Sequence, residues 1–310
     1  CPDPSCPHRH GCDVHRPFAA EILRRNFELP AFRPHQEAII TALLAGRTPL
    51  AILPTGGGKS LCYQLPAVHG AERLHGLTVV VSPLQALMKD QVDNLVRNTG
   101  TPFAGAVYGL LTPPERGQVL ERVRLGDIAI LYIAPEQLRS RSVRAVLSQR
   151  EIGCWVFDEA HCLSKWGHDF RPDYTRLREF RQVMSNPTTI ALTATATPRV
   201  QEDIIKQLGL TQSEVKTYHE GIERENLFLE CHELWGEEEK LNHILRVREK
   251  NPGNGIVYFV LIKDLNKMAE LLNKNKIRFL KYHGDLSADD RKRIQDRFMG
   301  GENNLVLATN

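Results

Sequence analysis

Short, almost wholly apolar runs recur along most of the chain and alternate with longer stretches of helical period. Five of these runs suit buried strands, and they cover residues 50–53, 77–82, 128–134, 154–157 and 189–193. Apolar runs of four to seven residues are typical of parallel strands whose two faces are covered by helices. The pattern therefore predicts an α/β domain with a parallel sheet, whose functional loops lie at the carboxyl ends of the strands.

The alternation loosens between Gly209 and Gly236 and then starts again. A second α/β unit is predicted from strands at 255–260, 278–283 and 304–309, with helices at 264–275 and 287–299. Because the chain starts with Cys1 and stops at the tip of a predicted strand, we expect it to be part of a longer polypeptide. On that view the second unit is incomplete, and further domains lie on both sides.

We accordingly divide the chain into four parts by composition and pattern. They are a Cys/His-rich segment at 1–17, a first domain at 18–214, a linker at 215–235 and a second domain at 236–310. A chain of 310 residues exceeds what one hydrophobic core usually serves, which agrees with two domains.

Bulk composition excludes some classes of protein without identifying a function. The chain is 42% hydrophobic and 25% charged, with a net charge of +3, so any surface for a polyanion must be local. No run of eighteen apolar residues is present, so we expect no membrane partner. Seven cysteines scattered over a long chain favour a reducing, intracellular compartment.

The strand predicted at 50–53 runs directly into Thr55-Gly56-Gly57-Gly58-Lys59-Ser60. Successive glycines let the backbone wrap closely around an anion, and the helix that follows adds partial positive charge at its N-terminus. Lys59 would reach the β- and γ-phosphates of a nucleotide, and the Ser60 hydroxyl would bind Mg²⁺. We therefore predict an ATP site here. The alternative is a flexible glycine turn before a helix.

A second strand, at 154–157, ends in Asp158-Glu159-Ala160-His161. Acidic residues at the carboxyl tip of a strand hold Mg²⁺ in nucleotide hydrolases. We assign Asp158 to the metal side and Glu159 to activation of the attacking water. A solvated acidic loop end is the alternative.

Two further groups of residues are weaker candidates. Gln36, before the phosphate loop, could pair with adenine through its amide, although an isolated Gln at a helix start is more often solvated. The segment 1–17 contains Cys1, Cys6 and Cys12, together with three histidines. These cysteines could bind Zn²⁺ or an iron–sulfur cluster, or the segment could be a plain linker.

Taken together, these motifs resemble superfamily 2 helicases, and the stretch Cys162–Tyr174 resembles the aromatic-rich loop of RecQ DNA helicases. Further matches are Phe32-Arg33-x-x-Gln36, Val81–Gln91, Leu192–Ala196, Arg224-x-Asn226-Leu227 and Tyr282-His283-Gly284. The resemblance covers about residues 18–310. It implies two RecA-like parallel-sheet domains in tandem, with ATP in the cleft between them.

The resemblance also implies roles for individual residues. Arg33 and Gln36 would hold the adenine, and His161, Thr193 and Thr195 would link the ATP site to strand separation. Trp166, Phe170 and Tyr174 would offer faces for stacking on unpaired bases, and Arg171 a phosphate or cation–π contact, with His168 in the same loop. The alternative is that Trp166 and Phe170 are core aromatics.

The implied function is an ATP-dependent 3′→5′ DNA helicase of recombination and repair, acting on single-stranded and forked duplex DNA in the bacterial nucleoid or the nucleus. Because the family's arginine finger lies in a motif that this stretch does not contain, we expect these 310 residues alone to hydrolyse ATP poorly. Two alternatives remain open, an RNA helicase and an ATP-gated binding module without unwinding activity.

Overall fold

The computed structural model describes residues 15–74, 76–100, 102–109, 111–166, 174, 177–183, 187–221 and 226–309. The chain divides into two compact units, Cys1–Arg224 and Glu225–Asn310. Each unit is an α/β structure with its own parallel sheet, as the apolar pattern predicts.

The first unit contains a seven-stranded sheet in the order β3-β4-β2-β5-β6-β1-β7, with every pairing parallel. Its strands are β1 Thr48–Ile52, β2 Leu77–Val81, β3 Ala104–Val107, β4 Ile130–Ile133, β5 Ile152–Phe157, β6 Thr188–Thr193 and β7 Val215–His219. Its helices are α1 His15–Phe27, α2 Gln36–Leu44, α3 Leu61–Leu74, α4 Gln85–Thr99, α5 Pro113–Leu125, α6 Arg141–Leu147, α7 Leu177–Val183 and α8 Pro198–Gln207. Short 3₁₀ turns occupy Pro135–Arg139, Ala160–Leu163 and Gln212–Glu214.

Helices cover both faces of this sheet, which explains why its strands are apolar on both sides. Along β1, Ala51 packs with the core formed by α1 to α4, whereas Leu50 and Ile52 pack with the opposite core formed by α5 to α8. Residues on successive positions of a strand point to opposite faces, so a strand covered twice needs no polar alternation. Each fully buried leucine or isoleucine side chain contributes about 2 kcal/mol of hydrophobic stabilisation.

The structure differs from the predicted linker at its start. Residues 215–219 form strand β7, which pairs along its whole length with β1, from Thr48 opposite Val215 to Ile52 opposite His219. The Val-Lys-Thr-Tyr-His sequence lacks a continuous apolar run because β7 is an edge strand, and Tyr218 is its buried residue. Strand β3, with its small residues Ala104 to Val107, is also an edge strand that the apolar pattern did not reveal.

The second unit contains a three-stranded parallel sheet in the order β8-β10-β9. Its elements are α9 Gly236–Lys250, β8 Gly255–Phe259, α10 Ile262–Lys274, β9 Leu280–Tyr282, α11 Ala288–Met299 and β10 Leu305–Thr309. Helices α9 and α10 cover one face of the sheet, and α11 packs on the other. Among the described residues, no helix has both the length and the apolar character needed to cross a membrane.

Candidate nucleotide and nucleic-acid site

The strand order brings the predicted catalytic motifs of the first unit to one edge of its sheet. Strands β2, β5, β6 and β1 are consecutive neighbours. Because all of them are parallel, their carboxyl ends lie side by side. The residues that follow these ends are Ser82 after β2, Asp158 after β5, Ala194 after β6 and the phosphate loop after β1.

The phosphate loop has a backbone that requires glycine at two positions. Gly56 and Gly58 have φ of 81° and 77°, in the left-handed region that L residues with side chains rarely adopt. Between them, the Gly57 N–H donates to the Pro54 carbonyl over 2.9 Å. The Lys59 ammonium turns back onto the loop, with Nζ 3.2 Å from the Leu53 oxygen and 3.4 Å from the Pro54 oxygen. The lysine charge is therefore held at the loop, where a nucleotide phosphate would bind.

Helix α2 and the segment before it hold this loop from outside. The Gln36 Nε2 donates to the Gly58 carbonyl over 3.0 Å, while Oε1 accepts from the Arg33 N–H over 2.8 Å. The Arg33 guanidinium also donates to the Gly56 carbonyl. Gln36 is 2% exposed, so its amide is not simply solvated. The structure thus brings both predicted adenine-binding residues against the phosphate loop.

Asp158 is a half-buried residue beside that loop. Its Oδ2 accepts from the Ser82 hydroxyl over 3.3 Å, and its Oδ1 accepts from the Glu159 N–H over 3.0 Å. Burial and the neighbouring Glu159 carboxylate raise the pKa of Asp158 to about 6, although the Glu159 N–H, Lys59 and Ser82 oppose this rise. A cation next to Asp158 would favour its charged form, as expected of a metal ligand.

Glu159, His161 and Thr193 form a connected group that joins β5 to β6. The His161 Nδ1 lies 3.0 Å from the Thr193 hydroxyl and 3.3 Å from Oε2 of Glu159. The Thr193 hydroxyl donates to the Thr195 carbonyl over 3.1 Å, so it must accept from His161, which places a proton on Nδ1. Glu159 itself has a φ of 47°, a left-handed backbone conformation just beyond the end of β5.

The predicted base-stacking loop is described in part. Trp166 is 60% exposed, and the guanidinium carbon of Arg199 lies 3.3 Å from the centroid of its ring. His168, Phe170 and Arg171 lie outside the described residues. The prediction for Tyr174 is wrong: its side chain is fully buried, and its hydroxyl donates to the Asp158 carbonyl over 3.3 Å. Tyr174 therefore supports the acidic strand end and offers no face to a base.

The candidate metal ligands of the N-terminal segment, Cys1, Cys6 and Cys12, also lie outside the described residues. Within the part of the chain that the structure describes, no group of three or more His, Cys, Asp or Glu side chains is arranged to hold a metal ion.

Two residues that contact the Trp166 segment escaped the sequence analysis. Arg199 and Asp203 lie one turn apart on α8, in a stretch whose sequence shows an ordinary amphipathic helix. Neither belongs to a motif with a predicted function, and their partners in the Trp166 segment are more than thirty residues away in the sequence. Their i, i+4 spacing places them on the same face of the helix, and this spacing is the sequence signal that could have indicated a shared contact.

Family models of known proteins match both units of the chain. Residues 33–204 match the family model of the DEAD/DEAH box helicase, and residues 237–310 match that of the helicase conserved C-terminal domain. The fold is similar to that of DUF1998 helicase MrfA bound to DNA and AMPPNP, with a TM-score of 0.71 and 19% identity over 93% of this chain and 43% of that chain.

Curated relatives are closer in sequence. The chain is 38% identical to the probable ATP-dependent DNA helicase RecS of Bacillus subtilis, over 94% of this chain and 57% of the relative. It is also 38% identical to the ATP-dependent DNA helicase RecQ of the same organism, over 96% of this chain and 48% of the relative. The chain thus spans about half the length of these relatives, and they confirm the predicted resemblance to RecQ helicases. The chain belongs to the DEAD/DEAH box helicase family.

Proposed function

We propose that this chain is the ATP-driven motor core of a RecQ-type DNA helicase, which couples ATP hydrolysis to movement along a single strand and so unwinds duplex DNA. The observation that carries the proposal is the common sheet edge shared by the phosphate loop and the Asp158-Glu159 pair, with the exposed Trp166 a few residues beyond that pair. Curated relatives named as DNA helicases support DNA as the nucleic acid.

ATP would bind at the phosphate loop. The backbone N–H groups of residues 55–60 and the Lys59 ammonium suit an anion, since Gly56 and Gly58 permit a wrapped backbone and Lys59 lies against the loop. Arg33 and Gln36 would hold the adenine, and both already contact the loop. Adenine binding and the conformation of the phosphate loop would therefore depend on the same two side chains.

The hydroxyl of Ser60 and the carboxylate of Asp158 are oxygen ligands of the type that Mg²⁺ prefers, and they fit a magnesium site beside the loop. Bound Mg²⁺ would neutralise charge on the phosphate oxygens. Glu159 would take a proton from the attacking water. His161, whose Nδ1 proton faces both Glu159 and Thr193, would hold the Glu159 carboxylate in place for that transfer.

The route from ATP to DNA would pass through β6. Thr193 contacts His161 on one side and bonds to the Thr195 backbone on the other. Trp166 and the predicted contacts Phe170, Arg171 and His168 would bind the unpaired strand, by base stacking and phosphate contact. Travel in the 3′→5′ direction and a role in recombination and repair follow from the RecQ resemblance.

The test compares nucleic acids on the full-length protein. ATP hydrolysis is expected to rise with single-stranded DNA by at least tenfold more than with RNA of the same sequence. A forked DNA duplex should be unwound only with ATP, and Lys59→Ala should abolish both activities. Stronger stimulation by RNA would make the protein an RNA helicase. DNA-stimulated hydrolysis without unwinding of the fork would instead indicate an ATP-gated binding module.

The remaining finer predictions belong to the same proposal. We propose that the protein works in the bacterial nucleoid or the nucleus, together with further domains of its own polypeptide. Cys1, Cys6 and Cys12 are proposed as ligands of zinc or an iron–sulfur cluster. Elemental analysis of the purified full-length protein, with Cys6→Ser and Cys12→Ser as a pair, tests the metal, and the absence of both zinc and iron would exclude it.

A further inference from the structure

Helix α8 is bonded to the chain just before Trp166 through one carboxylate. Oδ2 of Asp203 accepts from the Ser164 hydroxyl over 2.8 Å and from the Lys165 N–H over 3.1 Å. Its other oxygen accepts from Nε2 of Gln207, one turn further along the helix, over 3.2 Å. Because one oxygen accepts from both Ser164 and Lys165, Asp203 fixes two successive residues of the segment.

The same network reaches Trp166 itself. The Ser164 hydroxyl, which donates to Asp203, accepts from the Trp166 N–H over 3.1 Å. Ser164 is fully buried, so no water competes for its hydroxyl. A continuous chain of hydrogen bonds therefore runs from the Asp203 carboxylate to the backbone of the exposed tryptophan, and it sets the direction in which the indole leaves the backbone.

Arg199 contacts the indole from the same helix. It lies four residues before Asp203, on the same face of α8, and its guanidinium carbon is 3.3 Å from the centroid of the Trp166 ring. A guanidinium over an indole face is held by the quadrupole of the ring and by plane-to-plane contact. The backbone and the ring of Trp166 are thus both held by α8.

Helix α8 also begins close to the nucleotide site along the chain. Thr197, its N-cap residue, accepts from the Val200 N–H over 3.4 Å and follows Thr193 by only four residues. The second connection starts at His161, which lies in the 3₁₀ turn Ala160–Leu163. Ser164 directly follows this turn. Movement of the His161–Thr193 pair would therefore be transmitted to Trp166 along two short connections.

We propose that Asp203 and Arg199 are positioning residues, which hold Trp166 in the orientation needed to stack on an unpaired base. This rests on the proposed function, in which Trp166 contacts single-stranded DNA. Asp203 fixes the backbone at Trp166 through Ser164 and Lys165, and Arg199 fixes the orientation of the Trp166 ring. The stacked guanidinium also leaves a positive charge beside the indole, where a base that stacks on Trp166 brings its phosphate.

The experiment measures Trp166 directly. Of the three tryptophans of this chain, Trp155 is buried and Trp235 is exposed, so the emission of Trp166 is taken as the difference between each protein and its Trp166→Phe counterpart. The full-length protein is made with Asp203→Ala, Asp203→Asn, Ser164→Ala, Arg199→Ala or the control Glu202→Ala, each with and without Trp166→Phe. Glu202 is the exposed carboxylate next to Asp203, and its replacement changes the net charge equally. Acrylamide quenching is measured without DNA, and ATP hydrolysis is measured against oligothymidylate concentration.

Asp203→Ala is expected to change the quenching of Trp166 and to raise the half-saturating oligothymidylate concentration about tenfold, with little change in the maximal rate. Asp203→Asn should behave like the parent, because its amide oxygen still accepts from Ser164 and Lys165 and the Gln207 amide can turn. Ser164→Ala should reproduce part of the Asp203→Ala effect. Arg199→Ala should change quenching and also weaken binding, and Glu202→Ala should change neither quantity.

If Asp203→Ala matches Glu202→Ala in either quantity, or if Asp203→Asn is as impaired as Asp203→Ala, the positioning role is wrong. If Asp203→Ala does not fold, Ser164→Ala and Arg199→Ala are judged against Glu202→Ala by the same two criteria. If the premise that Trp166 contacts single-stranded DNA fails, the result is different, since the parent protein would then show no change in Trp166 emission on adding oligothymidylate.

Discussion

At the scale of single residues, the phosphate loop depends on Gly58 having no side chain. A Cβ on Gly58 would lie 2.3 Å from Nε2 of Gln36, and the φ of Gly58 is 77°. The residue is therefore required for two separate reasons, its left-handed backbone and the close approach of Gln36. The same Gln36 amide donates to the Gly58 carbonyl, so the approach is an attractive contact that leaves no room for a methyl group.

Gly58→Ala is expected to weaken nucleotide binding by at least tenfold, because the new methyl group displaces the Gln36 amide from the loop. The measurement is titration with a fluorescent ATP analogue. Gly46→Ala is the matched control: Gly46 has a φ of 74°, but among the described residues no atom lies within 4 Å of where its Cβ would be. Both variants carry about 1 kcal/mol of backbone strain, so equal affinities for the analogue would contradict the role of the Gln36 contact.

Glu159→Gln is expected to lower DNA-stimulated ATP hydrolysis of the full-length protein by about 10² to 10⁴, the usual contribution of a general base. Nucleotide binding should be retained, because the amide is nearly isosteric with the carboxyl group. Glu151→Gln is the control, at the opposite end of strand β5 and exposed. Unchanged turnover in Glu159→Gln would show that another group activates the water.

At the scale of elements, capping interactions determine where two of the elements start. Thr112 precedes α5, and Oε2 of Glu115 accepts from the Thr112 N–H over 2.8 Å and from its hydroxyl over 2.7 Å. Thr211 and Glu214 repeat this arrangement at the turn that leads into β7. In both cases the threonine comes three residues before the glutamate, a spacing that is visible in the sequence.

The α5 capping box makes stability depend on pH. Hydrogen bonds from the Thr112 hydroxyl and N–H lower the pKa of Glu115 in the folded chain. The stabilisation that ionised Glu115 provides is therefore complete above the pKa of a glutamate in the unfolded chain, about 4.3. It is lost as the pH falls through the lower pKa of Glu115 in the folded chain. Glu115→Gln should lower the melting temperature at pH 7, and its difference from the parent should shrink as the solution is acidified.

The control for this effect is again Glu151→Gln, whose carboxylate is exposed at the end of a strand and not at a cap. A melting-temperature difference for Glu115→Gln that stays constant as the pH falls from 7 to well below about 4.3 would mean that the carboxylate charge has no part in the cap.

At the scale of the whole molecule, the chain forms two units with separate cores, and a segment without helix or strand lies near the start of the second unit. Residues 227–235 contain no helix or strand, and Phe228 and Leu229 are 86% and 91% exposed. Large apolar side chains in an exposed, irregular segment are good substrates for proteases of chymotrypsin type. The units themselves bury their apolar residues in parallel sheets covered by helices.

Brief digestion with chymotrypsin is expected to cut first after Phe228 or Leu229 and to separate the two units, because this stretch has no sheet or helix hydrogen bonds to protect it. Mass spectrometry of the fragments identifies the bond. Phe228→Ser with Leu229→Ser should slow this cut without changing later ones, and a first cut within β1 to β6 would contradict the division into units.

The sequence by itself determined the class of fold, the phosphate loop and the acidic pair. These features depend on local requirements, such as apolar runs for doubly covered strands, glycines for a left-handed backbone, and carboxylates at a strand tip. The edge strand β7 escaped it because its sequence mixes polar and apolar residues, and β3 escaped it because its residues are few and small. Tyr174 was misassigned because its aromatic character is the same whether it stacks on a base or is buried under Asp158.

Only the tertiary structure decided which distant residues meet. The order β2-β5-β6-β1 brought Ser82, Asp158 and Thr193 to one edge, and no local pattern encodes that order. The contact between Ser164 and Asp203 joins residues 39 positions apart, and its existence depends on how α8 packs against the 3₁₀ turn after the acidic pair. Motifs whose residues are neighbours in the chain can be recognised from the sequence. Contacts between residues far apart in the sequence depend on how the helices and strands pack together, and that packing is a property of the whole fold.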